Sequence, residues 1–308
     1  MPEPMNLREV MESYLANLKD RGCRPATIRQ TVWQLKLLNK RLDTSLTPTK
    51  ANVGAMVDQF CAERRAEGLR ATSINTTLRC MRAALRLAYD REQIEGMRPP
   101  KVRMLKEERL RVQILESSDV DRLLAFAVSS RARLAIALGA YAGLRHQEIL
   151  HLQLRDLDMG VPQVLVTMKS GWVTKSFHER AVPMTKKLVA EVWRYLDSIQ
   201  VRPGTDEWVF TGFSNNPFVA AKTLTANRLT DIGDEVRESF QMADLYVPKR
   251  KPGLHMLRRT FASQLLERGA DIETVRDLMG HWDISVTAAY LGTNDRKRRS
   301  AVELLEQS

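Results

Sequence analysis

HMLRRTFASQLLERGADIETVRDLMGHWDISVTAAY, residues 255–290, is the stretch on which the reading of this chain turns. Its pattern predicts helices near 255–268, 271–279 and 283–291. His255 and Arg258 stand three apart, on one face of the first helix. Gly280 is the natural terminator of the second. His281 follows at once, and Tyr290 comes nine residues later. A basic pair, a histidine and a tyrosine are thus delivered from successive helix ends.

Upstream, YAGLRHQEILHL at residues 141–152 sets Arg145 and Glu148 just after an apolar helix near 131–142. The apolar period then changes. Residues 163–168 and 178–183 read as strands, with Lys169 to Ser176 between them. Further helices are predicted near 118–128, 147–152, 185–199 and 222–239, and the charged tail 296–307 suits a last one. The first 92 residues read as four helices, near 6–20, 25–42, 50–66 and 72–91, with Thr72 and Ser73 offering an N-cap for the fourth. In that helix Ile74, Leu78, Met81, Leu85 and Ala88 make an apolar face, while Asn75, Arg79, Arg82 and Arg86 recur on another. Residues 93–112 read as a basic linker, with Pro99-Pro100 barring helix and Lys101 and Arg103 among its cations. The expected fold is mainly α with a small β-sheet. It comprises an N-terminal helical domain over 1–92, the linker, and a mixed α/β domain over 113–308.

The 308 residues carry a formal net charge of +11. That surplus is uneven. Residues 1–112 hold 22 Lys and Arg against 13 Asp and Glu, whereas the remainder holds 26 against 24. The first third therefore reads as an electrostatic grip on a polyanion. No run approaches a membrane span, and Glu3, Glu9 and Glu12 do not suit a signal peptide, so the reading is cytoplasmic with no membrane partner. Cys23, Cys61 and Cys80 lack C-x-x-C pairing, which argues against a disulfide framework or structural zinc. His146 and His151 lack the spacing of a helical zinc pair, so no metal site is expected.

Breaking a phosphodiester without metal or nucleotide needs a side-chain nucleophile and fixed cations for the pentacoordinate phosphate. It also needs a proton donor for the departing oxygen. Arginine suits the second task, because its planar fork grips two oxygens and keeps its charge. The chain offers those parts in order: Arg145, His255-x-x-Arg258, Gly280-His281 and Tyr290. A single one of them would be an ordinary cap, core or surface residue; the set in fixed order is the signal.

With these motifs, AGLRHQEILHL and the 255–290 stretch, the sequence resembles the tyrosine recombinase family, also called phage integrases. The resemblance covers the second domain by pattern and order, and the first domain looks like the family's core-binding domain. It implies that Tyr290 attacks the scissile phosphate to form a 3′-phosphotyrosyl bond, and that Arg145 and Arg258 clamp the non-bridging oxygens. It further implies that His281 hydrogen-bonds the phosphate, that His255 is the general base, and that Glu148 supports the first arginine. A hairpin lysine would protonate the 5′ oxygen. Many relatives have a tight G-K-G-x-K-x-R hairpin, whereas MKSGWVTKSFHER here leaves Lys169, the better match, in competition with Lys175. The implied function is site-specific recombination of double-stranded DNA, in integration, excision or resolution, by a homo-oligomer that is tetrameric on paired sites. No cofactor is implied. A topoisomerase-like or telomere-resolving enzyme with the same nucleophile is the nearest rival, and a DNA-binding architectural protein without catalysis is the rival of another class.

Overall fold

The computed structural model describes residues 4–94, 101–107, 114–174, 177–210, 226–245 and 252–280; the side chains of 50 and 226–231 are not described. It divides into two compact units, Met1–Leu110 and Arg111–Ser308. The architecture is mainly helical with one small sheet.

In the first unit, four helices enclose a core: α1 (Leu7–Asp20), α2 (Pro25–Asn39), α3 (Lys50–Ala66) and α4 (Ala71–Asp90). The Asn6 side chain accepts from the Glu9 amide, and Glu9 returns the bond to the Asn6 amide, which satisfies two exposed donors at the start of α1. Thr49 and Asn52 do the same for α3. Ile74, Leu78, Met81, Leu85 and Ala88 of α4 are all buried, as their spacing requires. The Thr72-Ser73 cap is not what starts α4. The helix begins at Ala71, after Arg70, whose carbonyl already accepts from the Ser73 and Ile74 amides.

Asn75 also departs from expectation. It is buried, and its amide clasps the backbone of Leu105: Nδ2 donates to the Leu105 carbonyl at 2.9 Å, and Oδ1 accepts from the Leu105 amide at 2.8 Å. Residues 101–107 are drawn onto the first unit by this clasp, and Val102 joins its core. Part of the segment read as a linker therefore packs with the helices, because Val102, Met104 and Leu105 have apolar surface to bury.

The second unit is built round α6 (Ser130–Tyr141), which is buried on nearly every side. Against it pack α10 (Leu254–Glu267), α8 (Lys186–Ile199), α9 (Ala226–Met242) and α5 (Ser117–Ala125). Gly139 permits the approach of α10, since a Cβ there would lie 3.0 Å from Leu257 Cβ. The short α7 (His146–Leu150) leads, through a single tight turn at Leu154–Asp156, into an antiparallel sheet of β1 (Leu157–Asp158), β2 (Gln163–Val166) and β3 (Arg180–Pro183). The strand pairing sets Val166 opposite Arg180 and Gln163 opposite Pro183. Both strands are shorter than the apolar pattern suggested. After Val166 the backbone leaves the ladder, where the Met168 amide donates to the Glu179 carboxylate instead. The last described helix is α11 (Ile272–Met279), capped at its start by Asp271, which accepts from the Thr274 amide. The helices expected at 283–291 and in the tail lie outside the described residues. Among those described, no helix is long and apolar enough to cross a membrane.

The Asn75 clasp makes a prediction. Asn75→Ala leaves the part-buried N–H and C=O of Leu105 without this partner, so the first unit is expected to lose about 1–3 kcal/mol in urea unfolding. Trypsin is expected to cut after Arg103 and Lys106 faster than in the wild type. Unchanged stability and cleavage would show that the clasp holds nothing.

Candidate active site

The site grows from the turn between α6 and α7. Gly143, at φ +61°, reverses the chain in a conformation that costs other residues roughly 1–2 kcal/mol. A Cβ there would also collide with the Phe261 ring. The turn delivers Arg145 to the start of α7, one turn before Glu148. Glu148 Oε2 accepts from the Arg145 amide at 2.8 Å, and Oε1 accepts from Arg145 Nη1 at 2.7 Å. One carboxylate thereby caps the helix and orients the guanidinium.

Glu148 is only 1% exposed at its side chain, and two more arginines reach it. Arg180, the first residue of β3, forks onto both oxygens, with Nη1 to Oε1 at 3.1 Å and Nη2 to Oε2 at 2.7 Å. Arg258 of α10, 2% exposed, has Nη1 3.7 Å from Oε2. Burial pushes the Glu148 carboxyl towards its neutral form, but Arg180, Arg145 and Arg258 outweigh that, and its pKa is held at about 2.

The end of α11 closes the cluster. Successive carbonyls accept from the three guanidiniums: Leu278 from Arg180 Nε at 2.8 Å, Met279 from Arg258 Nη2, and Gly280 from Arg145 Nη2 at 2.7 Å. Arg258 Nη1 also donates to the Gly143 carbonyl. Carbonyls left over at a helix C-terminus carry partial negative charge, so cations settle there naturally. Gly280 is needed in its place. Its φ is +60°, and a Cβ would lie 2.8 Å from Arg180 Nη1.

The structure thus brings Arg145, Glu148 and Arg258 together. His255 lies exposed on the first turn of α10, three residues before Arg258. Lys169 is held elsewhere, 3% exposed, with Nζ 2.8 Å from Asp156 Oδ1 and bonded to Thr167 Oγ1. Its turn is closed by two backbone bonds to Trp172, and the Trp172 ring stacks on His151 with centroids 4.4 Å apart. Burial, helped by the nearby Lys169 charge, lowers the His151 pKa. His281, Tyr290 and Lys175 lie outside the described residues. Among the described residues, no group of three or more His, Cys, Asp or Glu is placed to hold a metal ion.

Sequence reasoning missed Arg180, Asp156 and the His151–Trp172 pair. A signal existed for the first, in the E-R-A-V-P run that closes the hairpin. The others depend on contacts across the fold that no spacing announces. On the first unit, Arg79, Arg82, Arg86, Lys101 and Arg103 are all exposed. Two of them carry local partners: Arg79 with Glu107 at 2.6 Å and Arg86 with Asp90 at 2.9 Å.

Residues 113–297 match the model described as "Phage integrase family". The chain is 26% identical to the tyrosine recombinase XerA of Pyrococcus furiosus over 304 residues, covering 96% of this chain and 93% of that one. It is 30% identical to a tyrosine recombinase of Pseudothermotoga lettingae, over 71% of this chain and 68% of that one. Among solved structures, the Tn1549 transposon integrase in complex with transposon right end DNA superposes with a TM-score of 0.77 at 18% identity, covering 98% of this chain and all of that one (100%). A lambda integrase dimer bound to a core site gives 0.68 at 16% identity, over 96% of this chain and 79% of that one. At such identities these two structures share the fold.

Acid unfolding tests the charge cluster. An unfolded glutamate titrates near ~4.3, so a carboxyl held at about 2 stabilises the fold above that range and ceases to do so as pH falls through 2. Glu148→Gln is expected to cost about 3–5 kcal/mol at neutral pH, because three arginines lose their counter-ion. It should also flatten the fall in stability over the acid window, measured by urea midpoints at each pH. A variant with the wild-type midpoint and the wild-type slope is the contrary result.

Proposed function

We propose how this chain, which belongs to the phage integrase family of tyrosine recombinases and is a site-specific DNA recombinase, carries out strand exchange: Tyr290 is its nucleophile and the arginines round Glu148 hold the phosphate. The observation that carries this reading is the convergence of Arg145 and Arg258 on one buried carboxylate, although 113 positions separate them in the chain. A carboxylate shared by three guanidiniums leaves the cluster positively charged and fixed before substrate arrives.

The steps follow from those parts. The Tyr290 oxygen attacks the scissile phosphorus and passes its proton to His255. Arg145, 20% exposed, is oriented by Glu148 and Gly280 so that its remaining N–H groups meet the non-bridging oxygens. Arg258 supplies positive charge from below, and His281, next to the Gly280 carbonyl that Arg145 holds, donates a further hydrogen bond. The P–O5′ bond breaks as the 3′-phosphotyrosyl bond forms, and the 5′ oxygen takes a proton from a hairpin lysine. Lys169 is our assignment, with Lys175 the alternative. Delivery from Lys169 requires its ammonium to exchange Asp156 for the leaving oxygen. Attack by the 5′ hydroxyl of a second strand reverses each step and reseals the backbone. The energy of the broken bond stays in the tyrosyl ester, so no ATP enters the scheme, and the arginines take the charge-balancing task that a metal has in other phosphoryl transfers.

The first unit is read as the grip on duplex DNA, through Arg79, Arg82 and Arg86 of α4 and through Lys101 and Arg103. The net positive charge of residues 1–112 supports this. We read the working species as a tetramer on paired sites, acting in the cytoplasm on integration, excision or resolution of a mobile element.

Nicked duplexes with randomised sequence about the nick test the chemistry. The wild-type chain is expected to trap an SDS-resistant adduct, and Tyr290→Phe to trap none. Arg145→Ala and Arg258→Ala are expected to slow trapping at least about 100-fold with duplex affinity nearly kept. No wild-type adduct, or an adduct with Tyr290→Phe, overturns the reading. For the grip, Arg82→Ala should weaken duplex binding and reduce the slope of log affinity against log salt by about 1. An unchanged slope takes Arg82 off the phosphate backbone.

A further inference from the structure

We infer that Arg180 is a positioning residue of the strand-exchange site, which occupies Glu148 and the end of α11 so that the Arg145 side chain stays open to the phosphate and the charge of Arg258 is not cancelled by the acid. The inference rests on the assignment of those two arginines as the phosphate clamp.

Geometry separates Arg180 from the other two. It alone grips both Glu148 oxygens through its planar fork, the arrangement in which an arginine and a carboxylate attract most strongly. Arg145 gives Glu148 one side-chain N–H, and Arg258 stands off at 3.7 Å with its fork turned to the Gly143 and Met279 carbonyls. The side chain of Arg180 is 8% exposed, against 20% for Arg145. Arg180 is therefore directed inward, at the acid, and Arg145 keeps the open side.

The charge balance points the same way. Three guanidiniums against one carboxylate leave two positive charges, whereas Arg145 and Arg258 alone would leave one. The pentacoordinate phosphate is a dianion. Without Arg180, Glu148 would cancel half of the clamp that must balance it. The acid is nonetheless required, since it caps α7 and orients Arg145. Arg180 reconciles the two demands by neutralising Glu148 from behind.

Arg180 also fixes where the chain leaves α11. Its Nε holds the Leu278 carbonyl, and the sequence at 280 is confined to glycine partly because a Cβ would press on this guanidinium. The guanidinium cannot easily give way, being bonded on three sides. The residue after Gly280 is His281, so an error at Arg180 is passed to the next group of the site.

Trapping on the nicked duplexes recovered with the wild-type chain tests this. Arg180→Gln is expected to slow adduct formation at least about 100-fold with duplex affinity within about threefold. Arg180→Lys, which keeps the charge but not the fork, is expected to recover at least about tenfold of that loss. Because Arg180 acts through Glu148, the double variant Glu148→Gln/Arg180→Gln should be no slower than the slower single variant. Adduct formation by Arg180→Gln within about threefold of wild type overturns the inference. So does a lysine variant as slow as the glutamine one, or a double variant whose losses multiply, since either pattern marks a brace of the fold. Tyr290→Phe and Arg145→Ala run beside these. If both still trap DNA, it is the clamp assignment that fails; if neither does while Arg180→Gln traps normally, only the role of Arg180 is lost.

Discussion

A carboxylate almost out of reach of water, shared among three guanidiniums, is the constraint round which the second unit is arranged. Ions are costly to bury, and a lone Glu148 in this position would be strongly destabilising. It persists because Arg145 from its own turn and Arg180 from the sheet give the carboxylate four hydrogen bonds, and the charge of Arg258 stands 3.7 Å away on α10. The same density makes the cluster rigid. An active site that stabilises a highly charged phosphate gains from dipoles and charges that need not move during the reaction.

The apolar frame exists to hold those pieces at fixed separations. α6 is buried nearly all round, and its glycine lets α10 approach closely enough to present Arg258 beside the turn that carries Arg145. The sheet is small and extends no core of its own. Its contribution is to bring β3, and with it Arg180, under the end of α11. The lysine of the preceding turn is kept apart from this cluster, on Asp156.

Much of this was legible in the sequence. Helix positions followed from period, although the cap read at Thr72-Ser73 was misplaced; α1, α3, α8 and α11 open on Asn6, Thr49, Thr185 and Asp271, whose side chains accept from the first turn. The order Arg145, Arg258, His281, Tyr290 carried the function, because few other tasks need those groups together. What escaped was of two kinds. Asn75 lay in register with a row of arginines, yet it is turned inward; its short amide can satisfy the backbone of Leu105, and no periodicity distinguishes that from exposure. Arg180 was one cation among 48 Lys and Arg, and only the fold reveals that it faces an acid 32 residues earlier. Strand ends were overextended for a related reason. Met168 is apolar, but its amide bonds Glu179, and that choice is made by tertiary structure.

The bond from Arg145 to the Gly280 carbonyl joins positions 135 residues apart. Contacts of such long range form late, after the intervening chain has collapsed, because their loop entropy must first be overcome. A nascent chain on the ribosome emerges N-terminus first and possesses Arg145 long before α11 has been translated. Throughout that interval the four helices of the first unit can already fold, whereas the charge cluster has no floor. A chain that stops short of α11 therefore keeps the first unit but lacks the carbonyls that hold the three guanidiniums.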